Sequence, residues 1–215
     1  DTATAVAKGP LSLARHYPPA TTPSSYGYFG GGEVTPTAVS TVDRIDYAND
    51  TTTATIKGAL SLARYGLATT GIHFYGYFGG GQNPTAVSTV DRIDYSNDTA
   101  TAVAKGPLSA VREVLAATGN SSYGYFGGGV PTTSIVVRID YSNDTATAVA
   151  KGPLSLARYD LAATGNSPYG YFGGGGGGFS TVDRIDYSND TAIAAVKGPL
   201  SFARYRHTAT NHSPV

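Results

Sequence analysis

The chain contains no cysteine, no methionine and no tryptophan among its 215 residues. Without cysteine it can form no disulfide, thiolate metal site, iron–sulfur cluster or cysteine nucleophile. Charge is also scarce: charged residues make up 14% of the chain, against about 25% in ordinary soluble domains, and 15 basic residues balance 15 acidic ones. A balanced chain lacks the basic excess that binds phosphate backbones, so we expect no nucleic-acid partner.

Long apolar runs are missing as well. No stretch reaches the roughly 18 apolar residues of a membrane-spanning helix, so we expect no membrane insertion. No window of useful length has the apolar spacing of an amphipathic helix. The chain begins with Asp1 and no signal-like apolar stretch follows, which predicts processing or a longer parent chain and leaves membership of a larger assembly open.

What the sequence has in abundance is repetition. The motif Y-G-Y-F-G-G-G recurs at spacings of 49, 48 and 46 residues, beginning at Tyr26, Tyr75, Tyr123 and Tyr169. Each copy is followed by a segment of the V-D-R-I-D-Y type, an alternating T-A-T-A-V-A stretch and a K-G-P-L-S-x-A-R turn. We place the repeats at 13–58, 62–106, 110–152 and 156–198, and such a period indicates stacked supersecondary units.

Each repeat has the pattern of four short strands. In the fourth repeat we predict strands at 158–164, 169–172, 181–187 and 191–196, separated by Gly-Asn-Ser, Gly-rich and Ser-Asn-Asp turns. Four strands in a period of about 40–50 residues are typical of a β-propeller blade.

The predicted fold is therefore all-β, a single β-propeller over residues 1–215. It has four complete repeats and a partial fifth, and it is either five-bladed or a segment of a longer array. We expect strands at 2–8 and 203–210 to contribute to a closing blade, because they match an outermost and an innermost strand.

The order of aromatic strand, Gly-Gly, V-x-R-x-D, turn and P-L-S-x-A-R resembles the kelch repeat. Kelch has a tyrosine where this chain has Ile45, Ile93, Ile139 and Ile185, and the kelch tryptophan is absent. We therefore expect the Tyr and Phe of Y-G-Y-F to replace the inter-blade packing of that pair. The near-identical units also resemble kelch-like arrays of marine bacteriophages and bacteria, which implies a phage tail fibre or another extracellular or virion-surface appendage.

Arginine is the first candidate for ligand binding. One arginine opens each predicted innermost strand, so five guanidinium groups could ring one mouth of the channel: Arg15, Arg64, Arg112, Arg158 and Arg204. Such a ring could hold an anion, sialic acid or an acidic side chain through bidentate contacts. The alternative is that each arginine binds carbonyl groups within its own blade.

Variation between repeats is the second candidate. It is confined to the residues after Gly-Gly-Gly and those after the inner-strand arginine, which share one rim of an antiparallel blade. We predict that tyrosines of this rim stack on sugar rings: Tyr17, Tyr65, Tyr159 and Tyr205. The alternative is that the sequences of these exposed loops differ through relaxed drift and have no binding role.

Charge follows the repeat, with three acidic and three basic residues in the second unit. We therefore expect each blade to pair its own charges. Outside this pattern are Glu33, Glu113, Asp160 and Arg206.

The sequence contains no recognisable catalytic motif. The histidines are not periodic, none has a metal-ligand spacing, and no nucleophile elbow occurs. We therefore expect no catalytic residue, no metal and no cofactor. The predicted function is a non-enzymatic, lectin-like extracellular or virion-associated propeller that binds a glycan or a surface protein receptor. The alternatives are a kelch-type protein-interaction adaptor and a purely architectural spacer.

Overall fold

The computed structural model describes residues 4–209, and four antiparallel sheets of four strands follow one another along this part of the chain. Blade 1 consists of β1 (Ala20–Thr21), β2 (Tyr26–Gly30), β5 (Val42–Asp46) and β6 (Thr55–Lys57), with a small hairpin of β3 (Glu33–Val34) and β4 (Thr37–Ala38) between β2 and β5. Blade 2 consists of β7 (Tyr65–Gly71), β8 (Tyr75–Gln82), β9 (Val90–Asp94) and β10 (Val103–Ala104). Blade 3 consists of β11 (Ala116–Gly119), β12 (Tyr123–Gly127), β13 (Val136–Asp140) and β14 (Val149–Lys151). Blade 4 consists of β15 (Ala162–Gly165), β16 (Tyr169–Gly173), β17 (Val182–Asp186) and β18 (Ala195–Lys197).

The blades are arranged around an axis. The first strands of the blades, β1, β7, β11 and β15, contact one another in succession, while the other strands of each sheet pair outward in chain order. This arrangement is a β-propeller of four-stranded blades, so the predicted fold class is confirmed. No helix within residues 4–209 is long and apolar enough to cross a bilayer.

Strands one and four of the fourth repeat are shorter than predicted. β15 begins at Ala162 rather than at residue 158, because Asp160 adopts a left-handed conformation with φ 53° that an extended strand does not contain. After β17 the chain forms a single 3-10 turn, Tyr187–Asn189, in which the Ser188 amide donates to the Asp186 carboxylate at 2.9 Å. That turn delays the last strand to Ala195.

The segments predicted to build a closing blade contain no strand in their described residues, 4–8 and 203–209. Residues 2, 3 and 210 of that prediction lie outside the described residues. Both segments nevertheless contact the neighbouring blades. The Lys8 ammonium lies 3.2 Å from an Asp50 carboxylate oxygen, and the Gly175 amide donates to the Arg204 carbonyl at 2.9 Å.

The hydrophobic core lies between successive blades, where the faces of adjacent sheets meet. Its three clusters each combine residues of two adjacent blades. Between blades 1 and 2, the Phe78 ring lies against Gly30, where a β-carbon would be 2.6 Å from the ring. The same contact recurs for Phe126 on Gly79 and for Phe172 on Gly127. The motif Y-G-Y-F therefore does supply the inter-blade packing, as predicted.

Ion pairs also link the blades. The Asp98 carboxylate of blade 2 accepts hydrogen bonds from Tyr28 and Arg44 of blade 1, both at 2.8 Å, and lies 3.1 Å from the Lys57 ammonium. Asp144 and Asp190 have the same three partners in blades 2 and 3. The prediction that each blade pairs its own charges is wrong for this set, because the charges lie on opposite faces of a sheet.

Candidate functional site

The arginines predicted to ring the channel are turned into their own blades. The Arg64 side chain is 0% exposed, donates from Nε to the Gly80 carbonyl at 2.8 Å and pairs with Asp91 at 2.8 Å. The pairs Arg15–Asp43 and Arg158–Asp183 are buried in the same way. The predicted ring is therefore wrong for these guanidinium groups, which bind carbonyl groups and an aspartate within the blade. Arg204 is exposed and makes no ion pair within residues 4–209.

Arg112 is the exception among the buried arginines. In blade 3, Val137 lies opposite Phe126, at the position where blade 2 pairs Asp91 with Phe78. Arg112 is 2% exposed, donates to the Ile135 carbonyl at 3.1 Å and has no hydrogen-bond partner for Nε among the described residues. Burial lowers the pKa of Arg112. Among the described residues this buried guanidinium has no counter-ion, which is a local cost to stability.

The second residue after each arginine adopts a left-handed backbone conformation. These five residues, with φ between 46° and 68°, are Tyr17, Gly66, Val114, Asp160 and Arg206. Backbone hydrogen bonds connect the last four in series: Val114 donates to Gly66 at 2.7 Å, Asp160 to Val114 at 2.8 Å and Arg206 to Asp160 at 3.1 Å. The first four lie at the start of an inner strand, and Arg206 is bonded to the fourth of them. The five therefore surround one mouth of the channel, and we call them the mouth ring.

Side chains join the two ends of the mouth ring. The Arg206 guanidinium carbon lies 5.6 Å from the centre of the Tyr17 ring, and Nε lies 3.2 Å from an Asp160 carboxylate oxygen. The Tyr17 and Tyr65 rings stack with their centres 6.1 Å apart. The first and fifth positions therefore meet at this mouth, although residues 4–209 contain only four complete blades.

The two variable segments of the repeat do share this mouth, as predicted. His16 and Glu33 exchange backbone hydrogen bonds of 2.9 Å, and Tyr65 pairs with Gln82. Glu113 pairs with Val130 in the same way.

The charges outside the repeat pattern collect here. Burial raises the pKa of Glu113, and the nearby Asp160 charge adds to the effect. Burial also raises the pKa of Tyr65, with further contributions from Glu33 and Glu113. The Glu113 Oε2 atom is buried and has no hydrogen-bond partner within the described chain.

The candidate site, which we call the mouth cluster, consists of Tyr17, Tyr65, Glu113, Tyr159, Asp160, Tyr205 and Arg206. It contains all four predicted tyrosines. Sequence reasoning did not select its three charged residues, although their departure from the repeat pattern was the signal that identifies them.

A cavity of about 910 Å³ lies along the axis below this mouth. Its walls are mostly the Ala, Thr and Leu side chains of the inner strands, and it reaches His73 and Phe74 at the opposite end. Among residues 4–209, no group of three or more His, Asp or Glu side chains is placed to hold a metal ion. The mouth cluster, rather than the larger cavity, combines charged and aromatic groups in one place.

Comparisons with known proteins bear on the fold alone. No protein-family model matches the chain, and no curated protein matches it. In solved structures, 287 chains resemble it. One, titled "Structure of YjhT", has a TM-score of 0.72 and 11% sequence identity, and the match covers 89% of this chain and 67% of that chain. YjhT has a propeller-like fold, and the likeness supports a β-propeller here.

Proposed function

We propose that the chain is a non-enzymatic β-propeller that binds a glycan at the mouth cluster. The observation that carries the proposal is the position of the variation: the charges outside the repeat pattern and the varied tyrosines lie together at one mouth of a repeated frame. Differences confined to one rim of a rigid scaffold are typical of binding proteins.

The chemistry of the mouth cluster suits a sugar. Tyr17 and Tyr65 offer stacked aromatic rings, and a flat apolar face of a pyranose packs on such rings. The Glu113 side chain is partly exposed at this mouth, and its carboxylate can accept a hydrogen bond from a sugar hydroxyl. The Asp160–Arg206 pair adds both an acceptor and donors at the same mouth.

The resemblance of the repeats to kelch-like arrays of marine bacteriophages and bacteria supports a place outside the cell or on a virion. In that setting the glycan would be carried by a host surface, free or on a receptor protein. A tail-fibre-like role follows from the same resemblance.

A glycan array tests the proposal. The wild-type chain is expected to bind a defined subset of glycans, and Tyr65→Ala is expected to lose that binding. The matched control is Phe74→Ala, which removes an aromatic side chain that is 64% exposed at the opposite end of blade 2. No glycan binding by the wild type, or equal loss in both variants, would overturn the proposal and favour an architectural spacer.

A further inference from the structure

The two end faces of the blade stack are unmatched halves of an interface that residues 4–209 form three times. On the outer face of blade 4, a β-carbon at Gly173 would have only Val182 and Leu200 near it, at 3.6 and 3.8 Å. Within residues 4–209 no aromatic ring packs there, unlike at Gly30, Gly79 and Gly127. The surface at Gly173, on which a phenylalanine ring of a following blade would pack, is therefore open in residues 4–209.

Polar groups of the same face also lack the partners that their equivalents have. Arg138 of blade 3 pairs with Asp190 of blade 4 at 2.8 Å. Its equivalent in blade 4, Arg184, makes no ion pair within the described chain, and its buried Nε has no hydrogen-bond partner. Tyr171 is half-buried, whereas Tyr125 is 0% exposed. Blade 4 thus presents a free cation and a phenol where the following blade would supply an aspartate.

Blade 1 presents the complementary half. Phe29 and Ile45 are half-buried and Tyr47 is 52% exposed, whereas the equivalent residues of blades 2 to 4 are covered by the preceding blade. Asp50 pairs with Lys8 at 3.2 Å but, within residues 4–209, has no arginine partner, unlike Asp98. The axial cavity extends onto this face and is lined there by the same three apolar side chains.

The flanks of a fifth blade are already in position. Gly175 binds the Arg204 carbonyl as Gly129 binds that of Arg158, both at 2.9 Å. At the other end, Gly9 binds the Asp50 carbonyl at 2.7 Å. These contacts belong to the beginning and the end of a blade. Its two middle strands are what residues 4–209 do not contain.

Arg204 identifies a further missing group. In blades 1, 2 and 4 the arginine at this position pairs with an aspartate on the third strand of its own blade. Arg204 is exposed and has only weak bonds to Phe202 and Ser201, at 3.5 and 3.4 Å. A third strand with the sequence V-D-R-I-D would provide its counter-ion.

We propose that the gap between blades 4 and 1 of the described residues is a docking site for a β-hairpin that carries the two middle strands of this same repeat. Its phenylalanine would pack on Gly173, and its aspartates would face Arg184 and Arg204. Its arginine would face Asp50, and its glycine would lie under Phe29. Such strand addition combines backbone pairing with side-chain pockets, and each pocket here is copied from an interface of the chain itself.

The test uses the full chain and a synthetic peptide with the sequence of residues 169–190, followed by calorimetry and sedimentation. We expect saturable binding of one peptide per chain. A peptide with Phe172→Ala and Asp183→Ala is expected to bind at least about tenfold more weakly, because it loses the ring for Gly173 and the counter-ion for Arg204.

A variant of the protein gives the sharper control. Gly173→Ala adds a methyl group that meets only ordinary contacts in the chain alone, so folding is expected to be unchanged. The methyl group would occupy the seat of the incoming ring and weaken peptide binding by about tenfold or more. The proposal is overturned if the wild type does not bind the peptide, or if Gly173→Ala binds it equally well. It is also overturned if the chain forms a dimer that the peptide does not dissociate, since a second copy would then fill the gap.

Discussion

The phenol oxygen of Tyr28 lies 2.8 Å from a carboxylate oxygen of Asp98, and the two residues belong to successive blades. Arg44 and Lys57 of the first blade bind the same carboxylate. These contacts recur at each interface and join neighbouring blades, whereas the buried pairs of the Arg64–Asp91 type lie within one blade. Stability is therefore expected to depend mainly on the interfaces between nearest neighbours.

Acid is expected to weaken these interfaces. Burial alone raises the pKa of Asp98, but the hydrogen bond from Tyr28 and the charges of Lys57 and Arg44 outweigh it and hold the pKa below its ordinary value. A lowered pKa in the folded state means that the stabilisation is present above the unfolded pKa of about 3.9 and is lost as pH falls through the lower folded value. Urea unfolding at a series of pH values should show a shallower acid loss in Asp98→Asn than in the wild type. Equal acid slopes would contradict the prediction.

Removing the hydroxyl group of Tyr95 should destabilise the interface between blades 1 and 2. This hydroxyl lies 2.9 Å from that of Thr21, which is buried, so Tyr95→Phe leaves a buried polar group unpaired. We expect a loss of about 1–2 kcal/mol in the free energy of unfolding. The control is Tyr47→Phe at the equivalent exposed position of blade 1, where water replaces the lost bond and the change should stay within about 0.5 kcal/mol. Equal effects would contradict the inter-blade role of Tyr95.

Restoring an aspartate beside Arg112 should stabilise blade 3. Val137→Asp recreates the pair found as Arg64–Asp91, and we expect the free energy of unfolding to rise by about 1–3 kcal/mol. The matched control is Val136→Asp, a neighbouring core position without a facing arginine, which should destabilise the chain strongly. Denaturant titrations of both variants measure the difference. If Val137→Asp destabilises as much as the control, Arg112 does not need a counter-ion.

A methyl group should be costly at glycines inside an interface and harmless at the open face. A β-carbon at Gly79 would lie 2.6 Å from the Phe126 ring, so Gly79→Ala is expected to reduce the free energy of unfolding by about 1–3 kcal/mol. Gly173→Ala meets no such ring and should change it little. Thermal or urea unfolding compares the two variants. Similar losses would mean that backbone preference, rather than the facing ring, sets the cost.

Much of the fold could be predicted from the sequence, because its main signals are local and repeated. Turn residues and alternating strands place four strands in each unit, and the period of the unit indicates a propeller blade. The role of the Y-G-Y-F aromatic residues also followed from the sequence, since the missing tryptophan left them as the large apolar groups available. The left-handed residues, such as Asp160, were not predicted, because non-glycine residues rarely adopt that conformation.

The candidate site was only half predictable. Repeat-to-repeat variation identified the tyrosines of the mouth cluster, and antiparallel pairing predicted that the two variable segments share a rim. The arginine ring failed because a sequence position at the start of a strand does not say which way a long side chain turns. Arg64 turns inward, where an aspartate and several carbonyl groups satisfy its donors.

The absence of cysteine, methionine and tryptophan, the charge balance and the four repeats were determined by the sequence alone. Only the tertiary structure decided which charges meet. Within one repeat, arginine and aspartate look like partners, but alternate residues of a strand face opposite sides of the sheet. Arg44 therefore reaches Asp98 in the next blade, and the same geometry leaves Arg184 and Asp50 without such partners at the two ends of the described blades.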